Sequence, residues 1–230
     1  ASAVCKGQGL RLAFARLNPV SGVFGPLVAS LSPTSVRQYE PRAGVGGHFF
    51  DELAIGFSEI LSRQGIHHAF IAGYVAILTG RPRSTDDIDV FIERCSETSI
   101  DDLVEKLHAE RYWGPAMPLS EMYGNLADGT NIWVAPDGEM TPHLEVKFPG
   151  DRFDRASLEN AIPAHIGDRA IPVGPIELGI AYKLSLGSRK DLEDAAHLYT
   201  LFEGTLTTAR LESWVDALGV EEQYERLTEL

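Results

Sequence analysis

Residues 47–230 predict an α/β (α+β) protein: a mixed sheet flanked by helices, followed by a purely helical region. Three observations carry that expectation. Short apolar or alternating runs of strand length recur between residues 67 and 173. Stretches with helical spacing are interleaved among them. Beyond Pro175 the strand-like runs stop and only helical spacing remains. The expected boundary lies near 172–175, separating an α/β domain at 47–173 from a helical region at 174–230.

The elements follow in order. Leu53, Ile55, Phe57, Ile60 and Leu61 recur at helical spacing, and Gly65 supplies a stop. His67–Ala72 is an apolar run suited to a buried strand, Gly73–Thr79 reads as a helix start, and Gly80–Asp86 is a polar loop. Asp87–Glu93 alternates with period two, as a half-buried strand does. Ser99–Tyr112 is amphipathic, with Ile100, Leu103, Val104 and Leu107 on one face. Asn131–Ala135 and His143–Phe148 read as strands joined through Asp137-Gly138, and Ala170–Val173 is a further apolar run. Pro175 opens a helix to Leu186; others are expected over about Arg189–Phe202, Thr208–Leu218 and Glu221–Leu230.

Composition excludes several classes. The chain has 230 residues, 44% apolar and 23% charged, and no window approaches a transmembrane length, which suits a cytoplasmic protein with no membrane partner. Two cysteines, Cys5 and Cys95, cannot build a disulfide framework. Residues 1–50 hold five basic residues against one acid, a net of +4; the rest hold 15 against 32, a net of −17. A body this acidic does not coat nucleic acid through a broad basic face, so contact with nucleotide must be local or bridged by metal. Arginine outnumbers lysine 15 to 5; an acidic, lysine-poor surface suits a high-salt cytoplasm, and GC-rich coding gives the same arginine bias. Residues 1–46, rich in Ser, Gly, Pro and Arg, form an atypical arm for which disorder is expected. A transit segment and, preferably, a cloning remnant, an over-long gene start or a loose arm are its readings.

The chemistry concentrates in Ala72–Asp89. Asp87 and Asp89 stand two apart on an expected strand, so both carboxylates point to one face, where a divalent cation relieves their repulsion. By itself an Asp-x-Asp is as readily a solvated strand end. Gly73 opens a helix directly after an apolar strand, where exposed N–H groups could receive a phosphate. Phosphate cradle and metal acids thus come from adjacent elements, as a metal-bound triphosphate requires.

These residues resemble the nucleotidyltransferase superfamily, particularly its compact prokaryotic members such as the AbiEii-type toxins. Gly73, Gly80, Arg83, Thr85, Asp87, Ile88 and Asp89 match the pattern in type and spacing. Ala72 stands where the family usually has its first glycine, and the serine that often follows is absent. The resemblance covers residues 50–200 and implies a nucleotidyltransferase-like sheet. It also implies Mg²⁺ or Mn²⁺ held by Asp87, Asp89 and Glu145, with Glu145 deprotonating the attacking hydroxyl. The family more often has Asp at the last position. Gly73, Arg83, Thr85, Lys183 and Asp191 would bind the nucleotide, with Lys183 as a point charge on the triphosphate and Asp191 orienting it or capping its helix.

The implied activity moves an NMP from an NTP, ATP among them, to a hydroxyl of tRNA, protein or a small molecule, releasing pyrophosphate. A toxin with an antitoxin partner would be one such protein. A nucleotidyltransferase-like module that binds nucleotide or a partner without catalysis is the alternative, and a metal-dependent glycosyltransferase ranks third. His143 and Glu145 share a strand face, but no third nitrogen or sulfur ligand sits at zinc spacing. His67 and His68 read as packing or edge residues, Cys95 as a spectator, and Trp113 and Trp133 as core or pocket wall. No calcium loop and no Walker-type phosphate loop is present.

Overall fold

The structure, a computed structural model, describes residues 10–12 and 47–229. Eight strands form one sheet in the order β1-β7-β8-β2-β3-β6-β5-β4. They are β1 (Leu10–Leu12), β2 (His68–Phe70), β3 (Asp87–Ile92), β4 (Tyr112–Trp113), β5 (Ile132–Pro136), β6 (His143–Lys147), β7 (Ile162–Ile166) and β8 (Arg169–Val173). The helices are α1 (Gly47–Arg63), α2 (Ala72–Leu78), α3 (Glu97–Ala109), α4 (Met122–Ala127), α5 (Arg152–Glu159), α6 (Ile176–Leu186), α7 (Arg189–Phe202), α8 (Thr208–Leu218) and α9 (Glu221–Thr228). The sheet is mixed, as expected: β2 runs parallel to β8 and β3 parallel to β6, while the other neighbours are antiparallel.

Burial decides most of this. On β3 the side chains of Ile88, Val90 and Ile92 are fully buried, while Asp87 and Asp89 alternate to the other face. The core runs without a break from the sheet into the helical region, joining Phe70, Val90 and Leu144 with Ile176, Ile180, Leu184, Ala195 and Leu198. The two sequence regions therefore share one core. Among the described residues no helix is long and apolar enough to cross a membrane.

Some expected boundaries move. The first strand ends at Phe70, because Ile71 is the extended N-cap of α2 and Ala72 already belongs to the helix. The helix expected over Ser99–Tyr112 runs from Glu97, where the Ser96 hydroxyl accepts from the Ser99 N–H, to Ala109. It stops there because Arg111 adopts φ +64°, and Tyr112 joins β4 instead. The last helix ends at Thr228. The arm contributes β1, paired antiparallel to β7; its other residues, Cys5 among them, lie outside the described ones.

Candidate nucleotide site

The geometry begins at a sharp strand-to-helix turn. Ile71 N–H donates to the Asp89 carbonyl (3.0 Å), binding the end of β2 to β3, and Ala72, the first residue of α2, takes φ +57°. Gly73 follows, against the Arg83 side chain: a Cβ there would stand 2.9 Å from the guanidinium nitrogens. The glycine thus makes room for Arg83, which returns from the loop before β3.

The parallel β3–β6 ladder brings the acids together. Its register sets Asp87 opposite His143 and Asp89 opposite Glu145, so all four share one face. Asp87 and Asp89 line a cavity of about 350 Å³. Thr85 Oγ1 donates to Asp87 Oδ1 (2.5 Å), which orients that carboxylate without Thr85 entering the cavity wall. Burial pushes the Asp89 carboxyl above its ordinary range; Asp87 and Glu145 push the same way, and Lys147, with Nζ 3.5 Å from Asp89 Oδ1, opposes them. Glu145 itself does not line the cavity. Its Oε2 accepts from Asn131 Nδ2 (2.6 Å) and its Oε1 lies 3.8 Å from His143 Nε2. The His143 ring stacks on Trp133 at 3.9 Å between centroids.

The helical region adds Lys183 on α6 and Lys190 and Asp191 at the start of α7 to the lining of the same cavity, and the loop before β3 adds Arg83. Arg81, Arg83 and Lys183 converge on Asp194, whose side chain is fully buried. Arg83 Nη1 and Lys183 Nζ each approach Asp194 Oδ2 to 2.6 Å, and Arg81 pairs with the other oxygen. Three cations share one carboxylate there, and the buried Arg83 Nε has no hydrogen-bond partner. Asp191 lies 3.7 Å from Lys183 and is held by the Ser188 hydroxyl, whose oxygen also caps α7 through the Asp191 N–H. Burial lowers the Lys183 amine to about 8; Asp191 raises it, while Arg83 and Lys190 lower it further.

The structure thus brings Gly73, Arg83, Asp87, Asp89, Lys183 and Asp191 to one cavity and leaves Thr85 and Glu145 just behind its wall. Sequence reasoning gave no site role to Asp194, Arg81 or Lys147. Asp194 follows Asp191 by three residues, one helical turn on, and Lys147 follows Glu145 by two, on the same strand face. Both spacings were readable, but neither shows which cation the side chain meets.

A hard divalent cation suits the two aspartates, which offer carboxylate oxygens from one strand face, and at Asp89 burial already disfavours the charged form. Among the described residues no three His, Cys, Asp or Glu side chains gather closely enough to cage a metal ion by themselves. The donor set therefore fits an ion whose remaining positions are filled by phosphate oxygens or water, as Mg²⁺ commonly is.

No protein-family model matches the chain, and no curated protein sequence does. Among solved structures it is similar to an antigenic nucleotidyltransferase-like protein from Paracoccidioides brasiliensis (15% identity, 77% of this chain and 91% of that one, TM-score 0.47). It is similar also to the antibiotic-resistance factor ANT(2'')-Ia (13% identity, 80% and 97%, TM-score 0.45). A tRNA nucleotidyltransferase solved with a primer tRNA and an incoming ATP analogue is more remote (12% identity, 75% and 58%, TM-score 0.29).

Proposed function

We propose that this chain is a metal-dependent nucleotidyltransferase that moves an NMP from an NTP to a hydroxyl acceptor. One observation carries the reading: a single cavity is lined both by the Asp87–Asp89 pair and by Arg83, Lys147, Lys183 and Lys190. A metal-bound triphosphate needs both, an anionic seat for the ion and cationic groups for the phosphates.

Asp87 and Asp89 would hold Mg²⁺ or Mn²⁺, with Glu145 opposite Asp89 on the neighbouring strand. When bound, the ion offsets the charge on the phosphate oxygens. Lys183 and Arg83 bind the phosphates as charges, and Gly73 leaves room for the Arg83 guanidinium. Asp191 and Ser188 orient the start of α7, from which Lys190 faces the cavity. In the reaction the acceptor oxygen bonds to the α-phosphorus and the bond from that phosphorus to the α,β-bridging oxygen breaks. Pyrophosphate leaves with the electron pair, and the hydroxyl proton passes to solvent or a neighbouring carboxylate.

The test incubates the protein with each α-labelled NTP and Mg²⁺ or Mn²⁺, offering tRNA, the protein itself and small hydroxylated molecules as acceptors. Label transfer is expected to one class, and Asp87→Ala or Asp89→Ala should each lower it by about a thousandfold or more. Transfer that survives both substitutions would sink the proposal. A toxin role, with an antitoxin as partner, predicts growth arrest on expression of the wild type that the double variant relieves.

A further inference from the structure

The cation nearest the paired aspartates belongs to the chain itself. Lys147 lines the cavity with its Nζ 3.5 Å from Asp89 Oδ1. The ammonium also lies 5.1 Å from the centroid of the Phe91 ring, which helps hold it over the carboxylate. Phe91 is the ladder partner of Lys147, and Asp89 the partner of Glu145, so the lysine reaches back two pairs along the strands.

The third carboxylate is engaged elsewhere. Glu145 accepts from Asn131, faces His143, and stands off the cavity wall. Two divalent ions clamped about 3.5–4 Å apart need acids that bridge or flank both. Of the other acids that line the cavity, Asp154 accepts from the Gly150 N–H and Asp191 from the Ser188 hydroxyl; Asp87 and Asp89 remain, and one of these already faces a positive charge.

Resting on the nucleotidyl-transfer reading, we infer that the site takes a single divalent ion on Asp87 and Asp89, and that the Lys147 ammonium supplies the second positive charge beside the reacting phosphate. A lysine suits that place. Its ammonium is a compact charge with three rotatable donors, able to stay on Asp89 and turn toward a phosphate oxygen. Lys147 would thus meet the charge that develops on the transferring group.

The experiment counts Mn²⁺ bound to the full chain by electron paramagnetic resonance, in the presence of α,β-methylene ATP. Wild type, Lys147→Arg and Lys147→Met are compared, with melting temperatures confirming that each is folded. One ion per chain is expected for wild type and for Lys147→Arg. Lys147→Met should bind its first ion about tenfold more tightly, the scale on which one adjacent cation shifts a carboxylate, or admit a second. Two ions in the wild type, or a Lys147→Met protein unchanged in affinity and count, would overturn the inference while leaving nucleotidyl transfer standing. Absence of Mn²⁺-dependent nucleotide binding in all three proteins would overturn the transfer reading and this inference with it.

Discussion

Lys183, which in the proposed reading binds phosphate, carries a charge that is easily lost. Its amine falls from 10.5 to about 8, chiefly through burial, so the free protein begins to lose that charge just above neutrality. A bound triphosphate restores the preference for the ammonium. Affinity for a non-hydrolysable NTP should therefore be flat below pH 8 and fall by up to about tenfold per pH unit above it. Calorimetry across pH 6.5 to about 9.5 checks this, and Lys183→Arg should flatten the profile. The stability contribution has the opposite slope. A cation with a depressed folded-state value is a burden below about 8, and the burden lifts as pH rises toward 10.5. At Ala72 the backbone takes φ +57°, a conformation that costs an alanine about 1–2 kcal/mol over glycine. Ala72→Gly should raise unfolding stability by about 1 kcal/mol in urea titrations; a loss would show that the alanine methyl contributes packing that outweighs the strain.

Among the elements, the β3–β6 ladder and the α6–α7 pair make the site, one bringing acids and the other cations. Asp194 ties them together, since Arg81 and Arg83 come from the loop before β3 and Lys183 from α6. Removing it leaves three cations packed without a shared counter-charge. Asp194→Ala should cost about 3–5 kcal/mol, read as a lowered denaturation midpoint; a change below about 1 kcal/mol would mean the cations find water instead. Much of this was legible in the sequence. The period-two pattern of Asp87–Glu93 marked β3, and the helical spacing up to Leu186 and again from Arg189 marked α6 and α7; Gly187 between them takes φ +66°. Other elements were hidden for physical reasons. In β7, Ile162, Ala164 and Ile166 alternate with Pro163 and His165, but a proline within the run argues against a strand, so the Gly167-Asp168 turn before β8 is the clearer hint of a hairpin. In α5 no residue is fully buried, and eight residues with Phe153, Ala156 and Leu158 as the apolar ones are too few to set a helical period. The carboxylate of Glu145 was visible as a candidate. Its hold on Asn131 was not, because that contact depends on how β5 and β6 align.

At the scale of the whole molecule, acids outnumber bases by 13, and the imbalance within residues 51–230 is larger still. Such a body repels itself, and salt screens that repulsion over a Debye length of about 10 Å at 0.1 M. The melting temperature should climb steadily from low to molar salt; a flat response would show that the acids sit too far apart to strain the fold. The same charge leaves the cationic cluster around Asp194 as a local exception in an acidic protein, which is where an anionic nucleotide would be drawn. The central claim is that this cluster and the Asp87–Asp89 pair serve one ligand. Calorimetric titration of α,β-methylene ATP with and without Mn²⁺ tests it without needing to know the acceptor. Binding should require the ion, vanish in Asp87→Ala Asp89→Ala, and weaken at least about tenfold in Lys183→Ala. Binding that ignores the metal and both sets of substitutions would contradict the account.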